Sequence, residues 1–168
     1  MNTEAVTAYR SPMGWIRLEA SELGLRQVEF VDAVPADADP ATSHPILRQG
    51  LAALRAYFDK QPVPKVPLDV EGTTFQKSVW ETLLEIPFGK SWSYKDLAVA
   101  LGDAKKVRAV GLANGKNPIA ILVPCHRVIG TDGSLTGYAG GLDKKQALLK
   151  HEGIRTLESL AATQMNLF

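Results

Sequence analysis

Three prolines within residues 61–67 divide the chain into two parts with different hydrophobic patterns. Proline lacks a backbone N–H and its ring fixes φ, so this segment cannot continue a helix. We interpret it as a linker or an edge segment. Because the pattern changes beyond it, the sequence predicts two domains, 1–72 and 73–168.

The N-terminal part carries the pattern of an antiparallel sheet with one helix. Apolar and polar residues alternate over 14–19 and 25–30, with a turn sequence at 21–24, and this alternation predicts a hairpin. Apolar residues then recur at helical spacing over 46–60. We therefore expect an α+β fold whose N-terminal domain combines an antiparallel sheet with a helix.

The C-terminal part is mainly helical by its spacing. Thr74 is the expected N-cap of a first helix with apolar positions over 75–86, and Ser93 caps a second helix that ends at Leu101. A third helix should follow over 104–114. Two short helices joined by a glycine turn predict a helix-turn-helix.

The third predicted helix carries both basic and small side chains. Lys105, Lys106 and Arg108 supply positive charge. Ala109 and Gly111 would let the backbone approach a nucleic-acid groove closely. Packing between two helices needs the same small residues, so groove binding and helix packing both stay open on this pattern.

The two predicted domains differ in charge. Residues 1–72 hold seven Lys or Arg against ten Asp or Glu, net −3, whereas residues 73–168 hold twelve against eight, net +4. A basic excess suits a phosphate backbone, although an ordinary solvated surface can carry the same charges.

The basic half also contains the single cysteine, Cys125, with His126 and Arg127 directly after it. A base or a positive field beside a thiol favours the nucleophilic thiolate, although a lone cysteine is also a common small buried hydrophobe. The apolar run 119–123 predicts a buried strand. If that strand continued, Cys125 and His126 would point to opposite faces, so a water or a local turn would have to connect them.

A final helix is expected from Leu142 to Glu152, after a glycine-rich loop around Tyr138. A carboxylate at a helix C-terminus opposes the helix dipole, so Glu152 requires either solvent or a compensating partner. His126 could be that partner. The residues then suggest a relay from thiol through water to imidazole, with the carboxylate fixing the imidazole tautomer.

Composition excludes several classes of protein. One cysteine among 168 residues rules out an internal disulfide, and three histidines with scattered carboxylates do not form a zinc pattern. No apolar stretch approaches the roughly 18 residues of a membrane span, and residues 1–4 lack the blocks of a secretion signal. We expect a cytoplasmic protein with no metal and no cofactor.

Four motifs in the C-terminal half carry a family resemblance. They are residues 108–118, 124–128, 137–142 and 148–153. In this order and spacing, over about residues 73–153, they closely resemble the O6-alkylguanine-DNA alkyltransferases. The arrangement of the N-terminal part is similar to the ribonuclease-H-like domain of that family.

The resemblance implies repair of O6-alkylguanine, and of O4-alkylthymine, in double-stranded DNA by one irreversible alkyl transfer to the protein's own thiol after base flipping. It implies a monomer without cofactor, metal or membrane contact, with cooperative binding along DNA left open. Cys125 is then the acceptor, His126 the water-linked base and Glu152 the residue that orients it. Asn117 braces the thiol segment, and Tyr94 helps to extrude the nucleotide and donates a proton to the leaving base.

The resemblance also assigns DNA and pocket contacts. Arg108 fills the vacated stack while the small residues of its helix enter the minor groove. Val128, Tyr138 and Ala139 line the base pocket. Ala139, with Ala120, stands where some members carry other residues, so the preferred alkyl group stays open.

Two other classes of function fit parts of this pattern. A Cys-His hydrolase would use the same nucleophile with sustained turnover. A non-enzymatic lesion binder would share the DNA-binding helix but lack the acceptor cysteine, so the presence of Cys125 is the discriminating feature.

Overall fold

The computed structural model describes residues 4–157, which fall into two compact units. One unit contains the described residues up to Glu71 together with Pro118–Leu122. The other contains Gly72–Asn117 and the described residues from Val123 onward. The outermost parts of the two predicted domains, 1–3 and 158–168, lie outside the described residues.

The first unit is built on a three-stranded antiparallel sheet in the order β1-β2-β3. The strands are β1, Ala5–Ser11, β2, Gly14–Ala20, and β3, Leu25–Val31. Helix α1, Pro45–Phe58, packs on all three strands. The predicted hairpin and helix are therefore confirmed, and with them the α+β fold of this part.

Strand β1 has no counterpart in the sequence prediction. Its fully buried side chains are Thr7 and Ser11, both polar, so the strand shows no apolar alternation. The hydroxyl of Thr7 instead donates to the backbone oxygen of Asp39 at 2.8 Å. The pairing with β2, and not the pattern of its own residues, identifies this strand.

The proline segment leads into an edge of the sheet. Leu68 forms a parallel bridge with Leu25 of β3, and the Leu25 N–H donates to Pro67 O at 2.8 Å. Proline tolerates such an edge position because it needs to donate no ladder hydrogen bond there. Residues 61–67 were interpreted as a linker or an edge segment, and the contacts at the C-terminal end of the segment agree with an edge segment.

Residues 119–123 do not form the predicted strand. Ile119 makes one bridge with Val28, and the backbone then turns, with the Leu122 N–H donating to Ala120 O at 2.8 Å. Ile121 adopts a φ of +70°, which lies in the left-handed region. The prediction was wrong because an apolar run reports burial, and a buried turn satisfies it as well as a strand does.

The second unit is mainly helical, as expected. Its helices are α2, Thr74–Leu83, α3, Tyr94–Ala100, α4, Val107–Gly115, and α5, Leu142–His151. Two short strands, β4, Trp92–Ser93, and β5, Val128–Ile129, pair in parallel.

Side-chain caps start two of these helices. Ser93 caps α3 as predicted, in a reciprocal capping box with Asp96. Helix α2 is capped by Thr73 and not by Thr74, because Thr73 and Gln76 have the spacing that lets each side chain bind the other's backbone N–H. Helix boundaries predicted from sequence thus shift by one residue here.

The predicted helix-turn-helix is present as α3, a turn and α4, which pack against each other. The predicted third helix does not begin as α-helix, because Ala104–Lys106 form a 3₁₀ turn capped by the Asp103 carboxylate. The indole of Trp80 donates to Ala113 O at 2.9 Å and so joins α2 to α4.

Within the described part of the chain, none of the helices has both the length and the apolar character needed to cross a membrane. The cytoplasmic location expected from the sequence stays a prediction.

Candidate active site

Cys125, His126 and Arg127 form a single turn of 3₁₀ helix immediately before β5. The Arg127 N–H donates to Pro124 O at 3.0 Å, and the Cys125 N–H donates to Val123 O at 2.8 Å. A local turn, one of the two connections considered between Cys125 and His126, is therefore present. All three side chains are buried.

The carboxylate of Glu152, at the C-cap of α5, lies between the imidazole and the guanidinium of this turn. Its Oε2 is 2.5 Å from His126 Nε2, and its Oε1 accepts from Arg127 Nε at 2.8 Å. The Gly89 N–H donates to the same Oε1 at 3.0 Å. His126 is therefore the partner of Glu152, as the sequence suggested. Arg127, which the sequence suggested would activate the thiol, also binds Glu152.

The contact with Glu152 fixes the tautomer of His126. Burial lowers the pKa of His126, the hydrogen bond and charge interaction with Glu152 raise it, and the positive charges of Arg127 and Lys145 lower it again. We assign a neutral imidazole at neutral pH. Because a carboxylate can only accept, Nε2 carries the proton and the Nδ1 lone pair is the basic site.

Cys125 is 7% exposed, and this burial opposes the ionisation of the thiol that the sequence suggested. Burial raises the pKa of Cys125, and the hydrogen bond with Asn117 and the charge of Lys145 lower it only in part. The sulfur is therefore mainly a protonated thiol at neutral pH in the free protein. Its proton has to leave when a substrate is bound.

Two asparagines hold the backbone on either side of the sulfur. The amide of Asn117 donates to Val123 O at 2.8 Å, two residues before the cysteine, and its role as a brace of the thiol segment stays a prediction. The amide of Asn114, in α4, donates to Cys125 O at 3.4 Å. Sequence reasoning assigned no role to Asn114, although this residue belongs to the motif that carried the resemblance.

Lys145 is a buried cation that sequence reasoning missed. Its side chain is 0% exposed, and its Nζ donates to Val128 O at 2.7 Å and to Thr136 O at 2.9 Å. A lysine in a predicted amphipathic helix is normally taken as solvated, and no sequence signal indicates otherwise. The positive field at the thiol comes from this residue and not from Arg127.

A cleft of about 490 Å³ opens in the second unit, and one of its lining residues, Asn114, is the residue whose amide donates to Cys125 O. Its lining comes from α3, α4 and the glycine-rich loop: Tyr94, Val107, Gly111, Asn114, Gly115, Thr136, Gly137, Tyr138 and Ala139. Tyr138 and Ala139, which the resemblance assigns to the base pocket, are both among these lining residues. Val128 does not line this cleft, because its pairing with Trp92 in the β4-β5 ladder leaves it fully buried.

The two cleft tyrosines differ in environment. Burial raises the pKa of Tyr138 well above its ordinary value, with a smaller contribution from the nearby Cys125. The Tyr138 hydroxyl is buried and has no hydrogen-bond partner within residues 4–157. The hydroxyl of Tyr94, in contrast, lies 2.6 Å from the hydroxyl of Thr136.

The basic and small residues of the helix-turn-helix lie on its exposed side. Lys105, Lys106, Arg108 and Ala109 are exposed, and the Lys106 ammonium lies over a neighbouring aromatic ring. A Cβ on Gly111 would lie 3.6 Å from the Tyr94 ring, so this glycine gives α4 a thin face beside the cleft. The buried residues of α4 are Val110, Ala113 and Asn114, whereas Ala109 is exposed, so groove binding by Ala109 stays a prediction.

Residues 74–154 match the family described as 6-O-methylguanine DNA methyltransferase, DNA binding domain. A methylated-DNA–protein-cysteine methyltransferase of Methanosarcina barkeri is 49% identical over 146 residues, which are 84% of this chain and 92% of the relative. A Mycobacterium tuberculosis protein of the same name is 54% identical over 103 residues, 61% of this chain and 62% of the relative.

The solved structures agree with these relatives. The crystal structure of Mycobacterium tuberculosis O6-methylguanine methyltransferase covers 89% of this chain and 93% of its own, with a TM-score of 0.78 and 39% identity. The M. tuberculosis protein in complex with DNA covers 88% and 92%, with a TM-score of 0.78 and 41% identity. The chain belongs to the methylated-DNA–protein-cysteine methyltransferase family.

Proposed function

We propose that this protein repairs O6-alkylguanine in double-stranded DNA by transferring the alkyl group to Cys125. The observation that carries the proposal is a single buried thiol, held by Asn117 next to the His126-Glu152 pair, in a unit that contains an exposed basic helix-turn-helix. Membership of the family supports the same reaction.

Deprotonation of the thiol is the first step. His126 Nδ1 accepts the proton of Cys125 through a water, and the positive charge that forms on the ring is stabilised by Glu152. Arg127 holds the carboxylate in place without needing to move. The buried thiolate is formed only transiently, which is consistent with the raised pKa of Cys125.

Alkyl transfer is an in-line displacement. The sulfur lone pair forms a bond to the alkyl carbon, the carbon–O6 bond breaks, and its electron pair stays with the guanine. Tyr94 then donates a proton toward guanine N3, and the neutral base is left in the DNA. His126 and Tyr94 return to their starting protonation states by exchange with solvent.

A base inside a duplex cannot align its O6 substituent with a buried sulfur, so the nucleotide has to be extruded. Flipping costs a few kcal/mol and less for a badly paired lesion. We propose that Arg108 fills the vacated stack while Ala109 and Gly111 enter the minor groove. Lys105 and Lys106 would contact phosphates, and this makes residues 73–168 the DNA-binding and acceptor domain.

The product is an S-alkylcysteine. A thioether carbon is not open to water in the way an acyl carbonyl is, so the protein acts once and is consumed. Tyr138 and Ala139 would contact the extruded base or its alkyl group. O4-alkylthymine is included in the proposed substrate range.

Intact-protein mass after incubation with a duplex containing O6-methylguanine tests the proposal. We expect every molecule to gain one CH₂ unit, because a methyl group replaces the thiol proton. The gain should be absent for Cys125→Ser and for a duplex with unmodified guanine. A folded, reduced wild-type protein that binds the lesion without a mass change would be a lesion binder, and repeated turnover of a thioester would indicate a hydrolase.

A further inference from the structure

A threonine hydroxyl contacts the phenol to which the proposed mechanism assigns proton donation. Tyr94 Oη and Thr136 Oγ1 are 2.6 Å apart, and either hydroxyl can be the donor in this hydrogen bond. Both residues line the cleft, one from the first turn of α3 and the other from the glycine-rich loop. This distance is at the short end of the range for two hydroxyls.

The loop presents the Thr136 hydroxyl from a fixed backbone. Lys145 Nζ donates to the Thr136 carbonyl oxygen at 2.9 Å and to Val128 O at 2.7 Å. Because the ammonium is fully buried, both carbonyls are held by a charged donor that solvent does not reach. The threonine is therefore tied to the strand that follows the acceptor turn.

The phenol ring is positioned from the opposite side by α4. Gly111 lies against the ring, and a Cβ at that position would be 3.6 Å from Cδ1. Tyr94 itself follows the N-cap of α3, whose capping box fixes the start of that helix. The hydroxyl pair thus joins two elements that are each held by other contacts.

We propose that Thr136 is a positioning residue for alkyl transfer, whose hydroxyl donates to Tyr94 Oη while the phenol gives its proton to the leaving base. This inference rests on the proposed function and deepens it. When the phenol proton moves to guanine N3, a negative charge develops on Oη. Thr136 turns its O–H toward that oxygen, stabilises the charge, and itself keeps its proton.

The atoms balance without a further reagent. The carbon–O6 electron pair enters the guanine ring system, N3 takes the Tyr94 proton, and Oη keeps the electron pair of the broken O–H bond. Once the base leaves, the phenolate takes a proton from water. The thiol proton has separately gone to His126 and then to solvent.

Thr136→Val removes the hydroxyl and keeps the shape of the side chain, whereas Thr136→Ser keeps the hydroxyl. A hydrogen bond to a developing charge is worth enough to slow single-turnover transfer from O6-methylguanine by about 10- to 100-fold in Thr136→Val. Thr136→Ser should restore most of the rate. Duplex affinity, measured separately, should stay within about twofold for both variants because the contact acts on chemistry and not on binding.

Thr131→Val is the matched control, because Thr131 is an exposed threonine of the same loop that does not line the cleft. Its transfer rate should equal that of the wild type. A loss in this variant similar to that in Thr136→Val would attribute the effect to the loop and overturn the proposal.

Two further measurements separate proton positioning from a structural role. With O6-methyl-3-deazaguanine, where C–H replaces N3, the base cannot take the proton at that atom, so wild type and Thr136→Val should react equally slowly. In a Tyr94→Phe background, Thr136→Val should have no additional effect. An undiminished loss in either experiment would refute the proposal.

The proposed function and this inference fail in different ways. If the wild-type protein gains no alkyl group, the function is wrong. If the wild type and Thr136→Val both transfer the group at the same rate, the function stands and the role of Thr136 is wrong.

Discussion

Replacement of Arg127 by methionine tests whether the guanidinium offsets the free-energy cost of burying the charged Glu152 carboxylate. The variant keeps an apolar stem but removes the donor to Glu152 Oε1 at 2.8 Å and the donor to Ile86 O at 2.7 Å. The Arg127 side chain is 10% exposed and that of Glu152 is 0% exposed, so solvent cannot replace the lost charge. Removal of one partner from a buried ion pair costs about 3–5 kcal/mol.

That cost is large relative to the stability of a domain, which is about 5–15 kcal/mol. For a protein of this size it corresponds to a fall in Tm of roughly 6–20 °C, at about 2–4 °C for each kcal/mol. Urea unfolding should show a lower midpoint with an unchanged m-value if the native state keeps its compactness. Arg155→Met is the matched control, because Arg155 is exposed, and should change stability by less than about 0.5 kcal/mol.

The double variant Arg127→Met/Glu152→Gln decides the cause. If the loss in Arg127→Met comes from an uncompensated carboxylate, neutralising Glu152 should recover part of it, and the double variant should be more stable than the sum of the single losses predicts. Additive losses, or a loss below about 1 kcal/mol in Arg127→Met, would refute the reasoning.

Three other predictions follow from the charges of the second unit. The rate of Cys125 alkylation by iodoacetamide in the free protein should rise with pH, with a midpoint above that of free cysteine, because burial raises the pKa of Cys125. Lys145→Met should move this midpoint higher still, because the charge of Lys145 lowers the pKa. An unchanged curve in Lys145→Met would contradict this. The free energy of unfolding should fall as the pH drops below 6.5. In that range His126 binds a proton in the unfolded chain, whereas its lowered pKa keeps the imidazole neutral in the native state. His126→Gln should lack this part of the pH dependence. Lys105→Gln and Lys106→Gln should each reduce the slope of log affinity for duplex DNA against log salt by about 0.9, and slopes equal to that of the wild type would count against phosphate contacts.

The sequence predicted those helices and strands whose own residues carry a periodic pattern or a cap. The alternation at β2 and β3 and the Ser93 cap of α3 are properties of short sequence windows, and the structure confirms them. The polar strand β1 carries no such pattern, because its pairing with β2 is supplied by a different part of the chain. The cap of α2 lies at Thr73 and not at Thr74 because only Thr73 has a glutamine three residues later, a spacing that the sequence contains.

The arrangement of the candidate site was predictable only in part. The contact between His126 and Glu152 joins two positions that are 26 residues apart, and helix-dipole reasoning anticipated a partner for the carboxylate. The same reasoning gave no reason to bury Lys145 or to assign Arg127 to Glu152 instead of the thiol. The burial of Lys145 and the pairing of Arg127 with Glu152 both depend on which side chains meet in the protein interior, and tertiary packing decides this.

The segment before the cysteine shows how packing overrides a local pattern. Five apolar residues, 119–123, read as a strand that would have pointed Cys125 and His126 to opposite faces. One bridge at Ile119 satisfies the sheet, and the left-handed backbone of Ile121 then turns the chain. A positive φ at a β-branched residue is costly, so surrounding contacts have to maintain it. The left-handed backbone at Ile121 is therefore maintained by the burial of this segment, in which Ile119, Ile121 and Val123 are each at most 2% exposed, and the apolar pattern reports that burial and not the turn.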